Sequence, residues 1–387
     1  LKSGHFSESK YWNIDDELVL TPLGFKKSTC LINETLDSIF SDKIDSNDII
    51  GLSLTGGWDG RLLLAYASKY ISKENIILYS FWTLESPDYY LLLDTAKNLN
   101  YTYIPIDLKE IKYEETKNLW AEQTVFNSDG LRTLKRGHYL YAMDFLSDKV
   151  DYLITGIGGS NLLKSRKFSA SNVFNSNVLE LLFSDNYKNT IEKHYEYLMH
   201  NHGELFPELT KEQFIGSFET ERFISLFQNY SNPQKRMVSF LINDIERKYF
   251  GAELISYRHL IDNYSPFFDM RFIRALMKTS FFGAYNIRRK GLKNIKIQNA
   301  LFYAKLICYN YPALGRQNTD RGFSFHDILV PINPFTIINY FKTKKKLRAS
   351  DKDYFNNNDI PDLDKVFISN DLKWNSHEHP NSGFIAN

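Results

Sequence analysis

Cysteine is nearly absent from this sequence, which has only Cys30 and Cys308 among its 387 residues. Two cysteines cannot form a disulfide framework or a cysteine-based zinc site, so the composition favours a reducing compartment such as the cytoplasm. A run of about 18 apolar residues is also missing, and the sequence therefore predicts no membrane-spanning segment. The net charge is only +1, which argues against a nucleic-acid-binding protein with a broad basic face.

The chain is too long for one compact core, and it has enough apolar residues to fill more than one. Its 387 residues are 43% hydrophobic and 15% aromatic, which argues against wholesale disorder and favours two domains or one domain with a large insertion. Leu1 is not an initiator methionine and no signal peptide follows it, so the sequence is compatible with a piece of a longer protein.

One stretch combines a strand, a glycine turn and a helix. Residues 48–54 form a short apolar run typical of a buried strand, Thr55-Gly56-Gly57 interrupts it, and helical spacing then continues over 61–70. In this arrangement backbone N–H groups and a helix N-terminus converge on an anion, and the glycines leave room for a phosphate. Asp59 falls in the first helical turn, where it either caps the helix or holds a magnesium ion. A plain strand-to-helix turn is the alternative.

Strands and helices alternate after this stretch, and a second glycine-rich turn follows the fourth predicted strand. Apolar runs at 75–81, 101–106 and 151–154 predict strands, and the segments between them predict helices, among them one over 113–123. Helical spacing of apolar residues also predicts helices over 31–40 and 213–227. This alternation predicts an α/β fold with a doubly wound parallel sheet and right-handed crossovers. The turn at 155–163 follows the carboxyl end of its strand, which places it beside the first turn, where open parallel sheets bind ligands.

The first turn resembles a known family. Residues 55–60, Thr-Gly-Gly-Trp-Asp-Gly, resemble the Ser-Gly-Gly-x-Asp-Ser loop of the ATP pyrophosphatases, and Arg61–Ala65 resembles its asparagine synthetase branch. This resemblance implies an adenine nucleotide alpha-hydrolase-like (PP-loop) fold with a helical region, and it implies that ATP and Mg²⁺ bind. Asp59 is the implied metal ligand. The implied nucleotide contacts are Ser53, Leu54, Thr55, Gly56, Gly57, Asp59, Gly60, Phe81, Thr155 and Gly156.

Both loops depart from the family pattern. Gly60 replaces the second serine of the first loop, while Thr55 keeps the hydroxyl of the first serine. In the second loop, Ile157, Ser160 and Asn161 stand where asparagine synthetases carry acidic residues. Because those acids bind metal and steer the reaction, we expect free aspartate to be a poor substrate and a bulkier or less polar carboxylate to be preferred.

A third element departs in the same way. The family has a lysine two residues before a Gly-Phe pair, where it stabilises charge on the α-phosphate, and Asp320 stands at that position before Gly322-Phe323. Arg316 and Arg321 are the nearest cations in the sequence, and they are the predicted catalytic residues. The alternative is that both arginines are simple surface charges.

A fourth stretch, Pro266-Phe267-Phe268-Asp269, resembles the Pro-Phe-Leu-Asp element of the family. We interpret it as a proline turn and an aromatic plug, followed by an aspartate that caps a helix beginning at Met270. Its predicted role is to shape the domain.

The resemblance also implies an organisation and a function. The predicted segments are an arm at 1–45 that resembles the end of a glutaminase domain, a PP-loop core at 46–165, a helical region at 166–342 and a charged tail at 343–387. The implied activity is that of an ATP-dependent, asparagine synthase-like amide ligase. It would activate a small-molecule or peptide carboxylate as an acyl-adenylate, with release of pyrophosphate and with a glutaminase domain or subunit as partner. The alternative is a catalytically degenerate nucleotide-binding subunit with a regulatory or scaffolding role.

Overall fold

A computed structural model of the chain describes residues 12, 17–19, 21–82, 87–107, 120, 122–132, 137–163, 176–282, 293–330 and 338. Its strands are β1 (Ile50–Ser53), β2 (Ile76–Trp82), β3 (Thr102–Asp107), β4 (Tyr152–Ile154) and β5 (Asp262–Tyr264). Its α-helices are α1 (Phe25–Lys43), α2 (Trp58–Tyr70), α3 (Pro87–Leu99), α4 (Glu122–Asn127), α5 (Gly137–Ser147), α6 (Gly159–Leu163), α7 (Ser176–Phe183), α8 (Tyr187–His202), α9 (Lys211–Gly216), α10 (Glu221–Asn229), α11 (Pro233–Phe240), α12 (Gly251–Tyr257), α13 (Met270–Met277), α14 (Lys293–Asn310), α15 (Pro312–Gly315) and α16 (Phe325–Leu329).

The five strands form one parallel sheet in the spatial order β3-β2-β1-β4-β5. The central strand β1 pairs with both β2 and β4, so that Leu52 stands opposite Leu78 on one side and Ile154 on the other. Parallel neighbours require long crossovers, and helices supply them between the strands. The α/β class and the parallel sheet predicted from the sequence are confirmed.

Helices cover both faces of the sheet, because successive side chains of a strand point in opposite directions. In β2, Leu78 belongs to the larger core, which also contains Leu36 of α1 and Leu62 of α2. The next residue, Tyr79, belongs to a second core together with Leu140 of α5. Packing on both faces is the arrangement expected of a doubly wound sheet.

The helix α1 lies within the predicted N-terminal arm. Its buried residues Ile32, Leu36 and Ile39 recur at helical spacing and join the larger core. Sequence spacing predicted a helix over 31–40, and the structure confirms it while extending it in both directions to Phe25–Lys43.

Two elements differ from the sequence-based predictions. The strand β5 was not predicted, because Asp-Asn-Tyr contains no apolar run; it forms through pairing with β4, in which Leu153 stands opposite Asn263. A single helix predicted over 213–227 is wrong. The chain forms α9 and α10 there instead, because the Thr220 side chain accepts a hydrogen bond from the Phe223 N–H (3.3 Å) and starts a new helix.

The predicted tail at 343–387 lies outside the described residues, as does most of the helix predicted over 113–123. Within the described ranges, no helix is both long enough and apolar enough to cross a lipid bilayer.

One continuous helical run, 233–257, forms a wall beside the carboxyl end of the sheet. It comprises α11, a π-helix at Leu241–Phe250 and α12. The π-helix carries Glu246, whose side chain is buried with only 4% of the residue exposed. This burial raises the pKa of Glu246 to about 8, and the nearby Asn161 amide offsets the rise only in part.

The buried carboxyl of Glu246 predicts a pH-dependent stability. Its pKa is raised in the folded state, so the folded protein holds a proton that the unfolded chain releases, and stability falls as the pH rises from about 5 to 8. We therefore expect Glu246→Gln to match the parent at pH 5 and to exceed it at pH 8. The difference in the free energy of unfolding should grow by up to about 1.4 kcal/mol per pH unit.

Urea unfolding at both pH values measures this difference. The control is Glu196→Gln in α8, because Glu196 is exposed and its loss should change stability equally at both pH values. A difference between Glu246→Gln and the parent that does not change with pH would contradict the prediction.

Candidate functional site

The order of the strands reverses between β1 and β4. From β1 the chain proceeds outward to β2 and β3, and then returns to place β4 on the other side of β1. In open parallel sheets the loops at such a reversal separate, and ligands bind in the crevice outside the carboxyl ends of the strands. Both glycine-rich turns, 55–60 and 155–159, follow the carboxyl ends of these two strands.

A cleft of about 470 Å³ lies at this place. One side is formed by the ends of β1 and β4 and by the two turns: Ser53, Thr55, Gly57, Asp59, Gly60, Thr155, Gly156, Ile157, Gly158 and Asn161. The other side is largely aromatic and comes from β2, α5 and the helical run 233–257: Tyr79, Phe81, Tyr139, Met143, Tyr249, Phe250, Glu253 and Tyr257.

The first turn leads directly into α2. The Leu54 N–H donates to the Tyr79 carbonyl oxygen (3.0 Å), which extends the pairing of β1 with β2 by one residue. The Thr55 hydroxyl oxygen accepts from the Gly57 N–H (3.1 Å), and Gly57 is the N-cap of α2. Therefore the N-terminus of a 13-residue helix opens at the cleft, where its first N–H groups favour an anion.

The predicted site residues fall into two groups. Leu54 and Gly56 do not line the cleft; Leu54 is buried under the turn, and the Gly56 carbonyl oxygen accepts from the Asp320 N–H (3.4 Å). The remaining implied nucleotide contacts do line the cleft: Ser53, Thr55, Gly57, Asp59, Gly60, Phe81, Thr155 and Gly156.

Asp59 lies between the two turns. A methyl group added at Gly156 would lie 3.3 Å from the Asp59 Cβ, and one added at Gly159 would lie 2.9 Å from its Cγ. On the other side, the Tyr303 hydroxyl of α14 donates to Asp59 Oδ1 (2.5 Å). The second turn needs its glycines partly because the Asp59 side chain occupies the space beside them.

The segment 265–268 holds the second turn in place. The Ser265 hydroxyl donates to the Ile157 carbonyl oxygen (2.7 Å). Gly158 has φ +89°, and a methyl group there would lie 2.7 Å from the Phe268 ring. A methyl group at Gly159 would lie equally close to Phe267. The shaping role predicted for this segment fits these contacts, since its aromatic rings pack directly on the turn.

Asp269 completes that segment as the N-cap of α13. Its carboxylate accepts from the Arg271 N–H (2.9 Å) and from the Tyr264 hydroxyl (2.7 Å). Burial alone would raise the pKa of Asp269, but these partners and the Arg271 guanidinium lower it to about 2. The cap therefore stays charged at neutral pH.

Thr155 presents an unusual hydroxyl to the cleft. The residue is 5% exposed, and its Oγ1 makes no hydrogen bond to any of the described residues. Buried hydroxyl groups nearly always have a hydrogen-bond partner. A buried hydroxyl that has none within the protein and lies at a cleft indicates that a ligand or a water molecule is its partner.

The aromatic side of the cleft contains a buried ion pair. The Arg132 guanidinium contacts the Glu253 carboxylate, and its Cζ lies 3.9 Å from the centre of the Tyr249 ring. The Tyr257 hydroxyl donates to Glu253 Oε1 (2.6 Å). The only charged side chains that line the described part of the cleft are those of Asp59 and Glu253, and both are acids. A phosphate-rich ligand therefore needs a cation to enter with it.

The predicted catalytic arginines are near the first turn but outside the cleft lining. The guanidinium of Arg321 lies on the Trp58 ring, with Cζ 4.4 Å from its centre. Arg316 is exposed at the end of α15; burial raises the pKa of the nearby Cys308 thiol, and the Arg316 charge offsets that rise only in part. Asp320 reaches the first turn through its backbone contact with Gly56.

Several residues of the site were not predicted from the sequence. Tyr249, Glu253 and Tyr257 recur at intervals of four, which places them on one helical face, but such a stripe usually indicates a core. No local pattern signals Tyr303, because it contacts Asp59 across 244 positions of the sequence.

Gly60 gives a direct test of this geometry. A methyl group at Gly60 would lie 2.6 Å from the Ser53 carbonyl oxygen, because the first turn of α2 packs closely on the end of β1. We expect Gly60→Ser, which restores the serine of the resembling loop, to lower the free energy of unfolding by about 1–3 kcal/mol, as overpacking does. Thermal unfolding measures this change.

The matched control is Gly216→Ser at the end of α9, where no atom lies within 4 Å of an added methyl group. This variant should be as stable as the parent or slightly more stable, since serine has the better helix propensity. Equal stability of Gly60→Ser and the parent would mean that α2 shifts freely away from β1.

Comparison with known proteins gives no family for this chain: no family model matches it, and no curated protein matches it.

Proposed function

We propose that this protein is a PP-loop, asparagine synthetase-like ligase that activates a carboxylate with ATP and forms an amide. The observation that carries the proposal is the meeting of the two glycine turns at the reversal of strand order, with Asp59 between them. One cleft then contains a turn shaped for phosphate, a helix N-terminus that favours an anion, and a carboxylate that can bind a cation.

The phosphates of ATP fit the side of the cleft formed by the first turn. The first turn of α2 offers backbone N–H groups there. The Thr155 hydroxyl, which needs a partner from within the cleft, lies toward the nucleoside end. We assign the β- and γ-phosphates to residues 55–60 and the nucleoside end to Phe81, Thr155 and Gly156, all of which line the cleft.

The residues present also fit a magnesium ion. Among the described residues, no group of three or more His, Cys, Asp or Glu side chains could hold a metal by itself. Mg²⁺ does not require such a group, because it commonly binds one or two carboxylates together with substrate phosphates. Asp59 would be that carboxylate, and the bound ion would neutralise charge on the phosphates in a cleft where no described lining residue is a cation.

The aromatic side of the cleft suits an acyl group that is less polar than that of aspartate. Ile157 replaces an acid of the family, and Tyr139, Tyr249, Phe250 and Tyr257 form the facing wall. A second carboxylate on the substrate would lie among aromatic rings and would meet no cation among the described residues that line the cleft, so its burial there is costly.

The proposed reaction has two steps. A carboxylate oxygen of the substrate attacks the α-phosphorus, the bond from that phosphorus to the bridging oxygen of the β-phosphate breaks, and pyrophosphate leaves. An amine nitrogen then attacks the acyl carbon and loses a proton, and AMP leaves with the electron pair of the acyl–oxygen bond. The amine is ammonia from a glutaminase domain or subunit, or an amine of the substrate itself. The proposed location is the cytoplasm, whose reducing conditions suit the two free cysteines.

Carboxylate-dependent exchange of labelled pyrophosphate into ATP tests this function. We expect exchange with amino acids or short peptides that carry apolar or aromatic groups beside the carboxylate, and little exchange with free aspartate. Asp59→Asn should abolish exchange and Mg²⁺-dependent nucleotide binding, with a melting temperature close to that of the parent. Asparagine formation at an ordinary rate would contradict the proposed substrate class.

Arg321 provides a second test, because adenylation places negative charge on the α-phosphate and a cation must meet it. Arg321 follows Asp320, which contacts the first turn, and arginine stays charged at any working pH. We expect Arg321→Ala to keep ATP affinity within a few-fold and to lower pyrophosphate release by ~100-fold. Arg316→Ala is the control and should have a much smaller effect, since Arg316 is exposed. Unaltered rates in both variants would remove both arginines from the mechanism.

A nucleotide-binding subunit without catalysis is the second candidate. It is favoured by the absence of lysine and arginine among the described residues that line the cleft, and by Asp320 at the position of the lysine of the family. If the parent protein binds nucleotide but catalyses no pyrophosphate exchange with any carboxylate, this second candidate is supported.

A further inference from the structure

Tyr303 is a buried tyrosine that no motif of the sequence singles out, and it reaches the centre of the site. It lies on α14, is 0% exposed, and donates its hydroxyl to Asp59 Oδ1 (2.5 Å). Asp59 lines the cleft, whereas Tyr303 does not. The tyrosine therefore touches the site only through the carboxylate.

Aromatic neighbours fix the position of this tyrosine. Its ring centre lies 5.5 Å from that of Trp58, the residue before Asp59, with an interplanar angle of 64°. The Trp58 ring also packs edge-on against Phe325 of α16, at 5.6 Å. Since all three rings are buried, the hydroxyl of Tyr303 cannot move far unless α14 moves relative to α2.

The Tyr303 hydroxyl is the donor of its hydrogen bond with Asp59, since a phenol O–H donates and a carboxylate oxygen accepts. A neutral phenol beside a carboxylate donates its proton to one oxygen and so fixes the plane of that carboxylate.

We propose that Tyr303 is a positioning residue, whose hydroxyl holds the Asp59 carboxylate in the orientation that binds Mg²⁺ together with the nucleotide phosphates. The proposal rests on the proposed function, since it assigns the cation to Asp59. Groups that orient a metal ligand are worth about 10–100-fold in metal affinity when they are removed. The packing of Gly156 and Gly159 against the other side of Asp59 serves the same end, because it leaves the carboxylate little other space.

The test is Tyr303→Phe in the full chain, which removes the hydroxyl and keeps the ring that packs on Trp58. Binding of a non-hydrolysable ATP analogue is measured by calorimetry over a series of Mg²⁺ concentrations. We expect the Mg²⁺ concentration for half-maximal binding to rise about 10-fold or more. The analogue affinity at saturating Mg²⁺ should change by only a few-fold, because the backbone donors of the first turn are untouched.

Tyr66→Phe is the matched control. Tyr66 is also a buried tyrosine, lies on α2 itself, and donates its hydroxyl to Asn33 Oδ1 (2.8 Å) away from the cleft. Removing that hydroxyl should leave the Mg²⁺ dependence as it is in the parent.

The outcomes separate the two proposals. If the parent binds the analogue with Mg²⁺ and Tyr303→Phe has the same Mg²⁺ dependence, the role of Tyr303 is refuted and the proposed function stands. A large loss of analogue affinity in Tyr303→Phe that persists at saturating Mg²⁺ refutes action through the Mg²⁺ ligand Asp59. If the parent binds no analogue in the presence of Mg²⁺, the proposed function and this inference both fail.

Discussion

The parallel pairing of β1 with β4 is the contact on which the site depends. It begins before the strands themselves, where the Asp151 N–H donates to the Ile49 carbonyl oxygen and the Asp151 carboxylate accepts from the Ile49 N–H, both at 2.7 Å. Two segments about a hundred residues apart thereby start in register and end side by side. Because the carboxyl ends of β1 and β4 lie side by side, the two glycine turns are neighbours. The Asp59 carboxylate fills the space between them.

The central part of this arrangement is predictable from the sequence because its signals are local. β1, β2, β3 and β4 are short apolar runs bounded by turn residues, and the turns that follow β1 and β4 carry their glycines. The strand β5 lacks such a signal, since Asp262 and Tyr264 are polar or amphipathic and only the edge of β4 makes them a strand. The division of the predicted 213–227 helix was also missed, because Thr220 in the sequence resembles any other polar helical residue.

Only part of the candidate site can be predicted from local sequence patterns. Thr155 and Gly156 were implied by the family resemblance of a turn that directly follows a strand, and both line the cleft. The opposite wall, with Glu253 and Tyr257, depends on how the helical run 233–257 lies against the sheet, and helical spacing alone does not distinguish a cleft from a core. From the sequence, Gly60 is interpreted as the loss of a serine hydroxyl. The structure gives another reason for the glycine, because a side chain at position 60 would clash with the Ser53 carbonyl oxygen.

The crowding of Asp59 by Gly159 has a consequence for how this protein can evolve. The two residues compete for one small volume, since a methyl group at position 159 would lie 2.9 Å from the Asp59 carboxylate and 2.7 Å from Phe267. Position 159 is therefore not free to vary alone: a side chain gained there requires a smaller residue at 59 or a displaced ring at 267. Substitutions at these three positions are epistatic, so that a lineage could exchange them only together or in a restricted order.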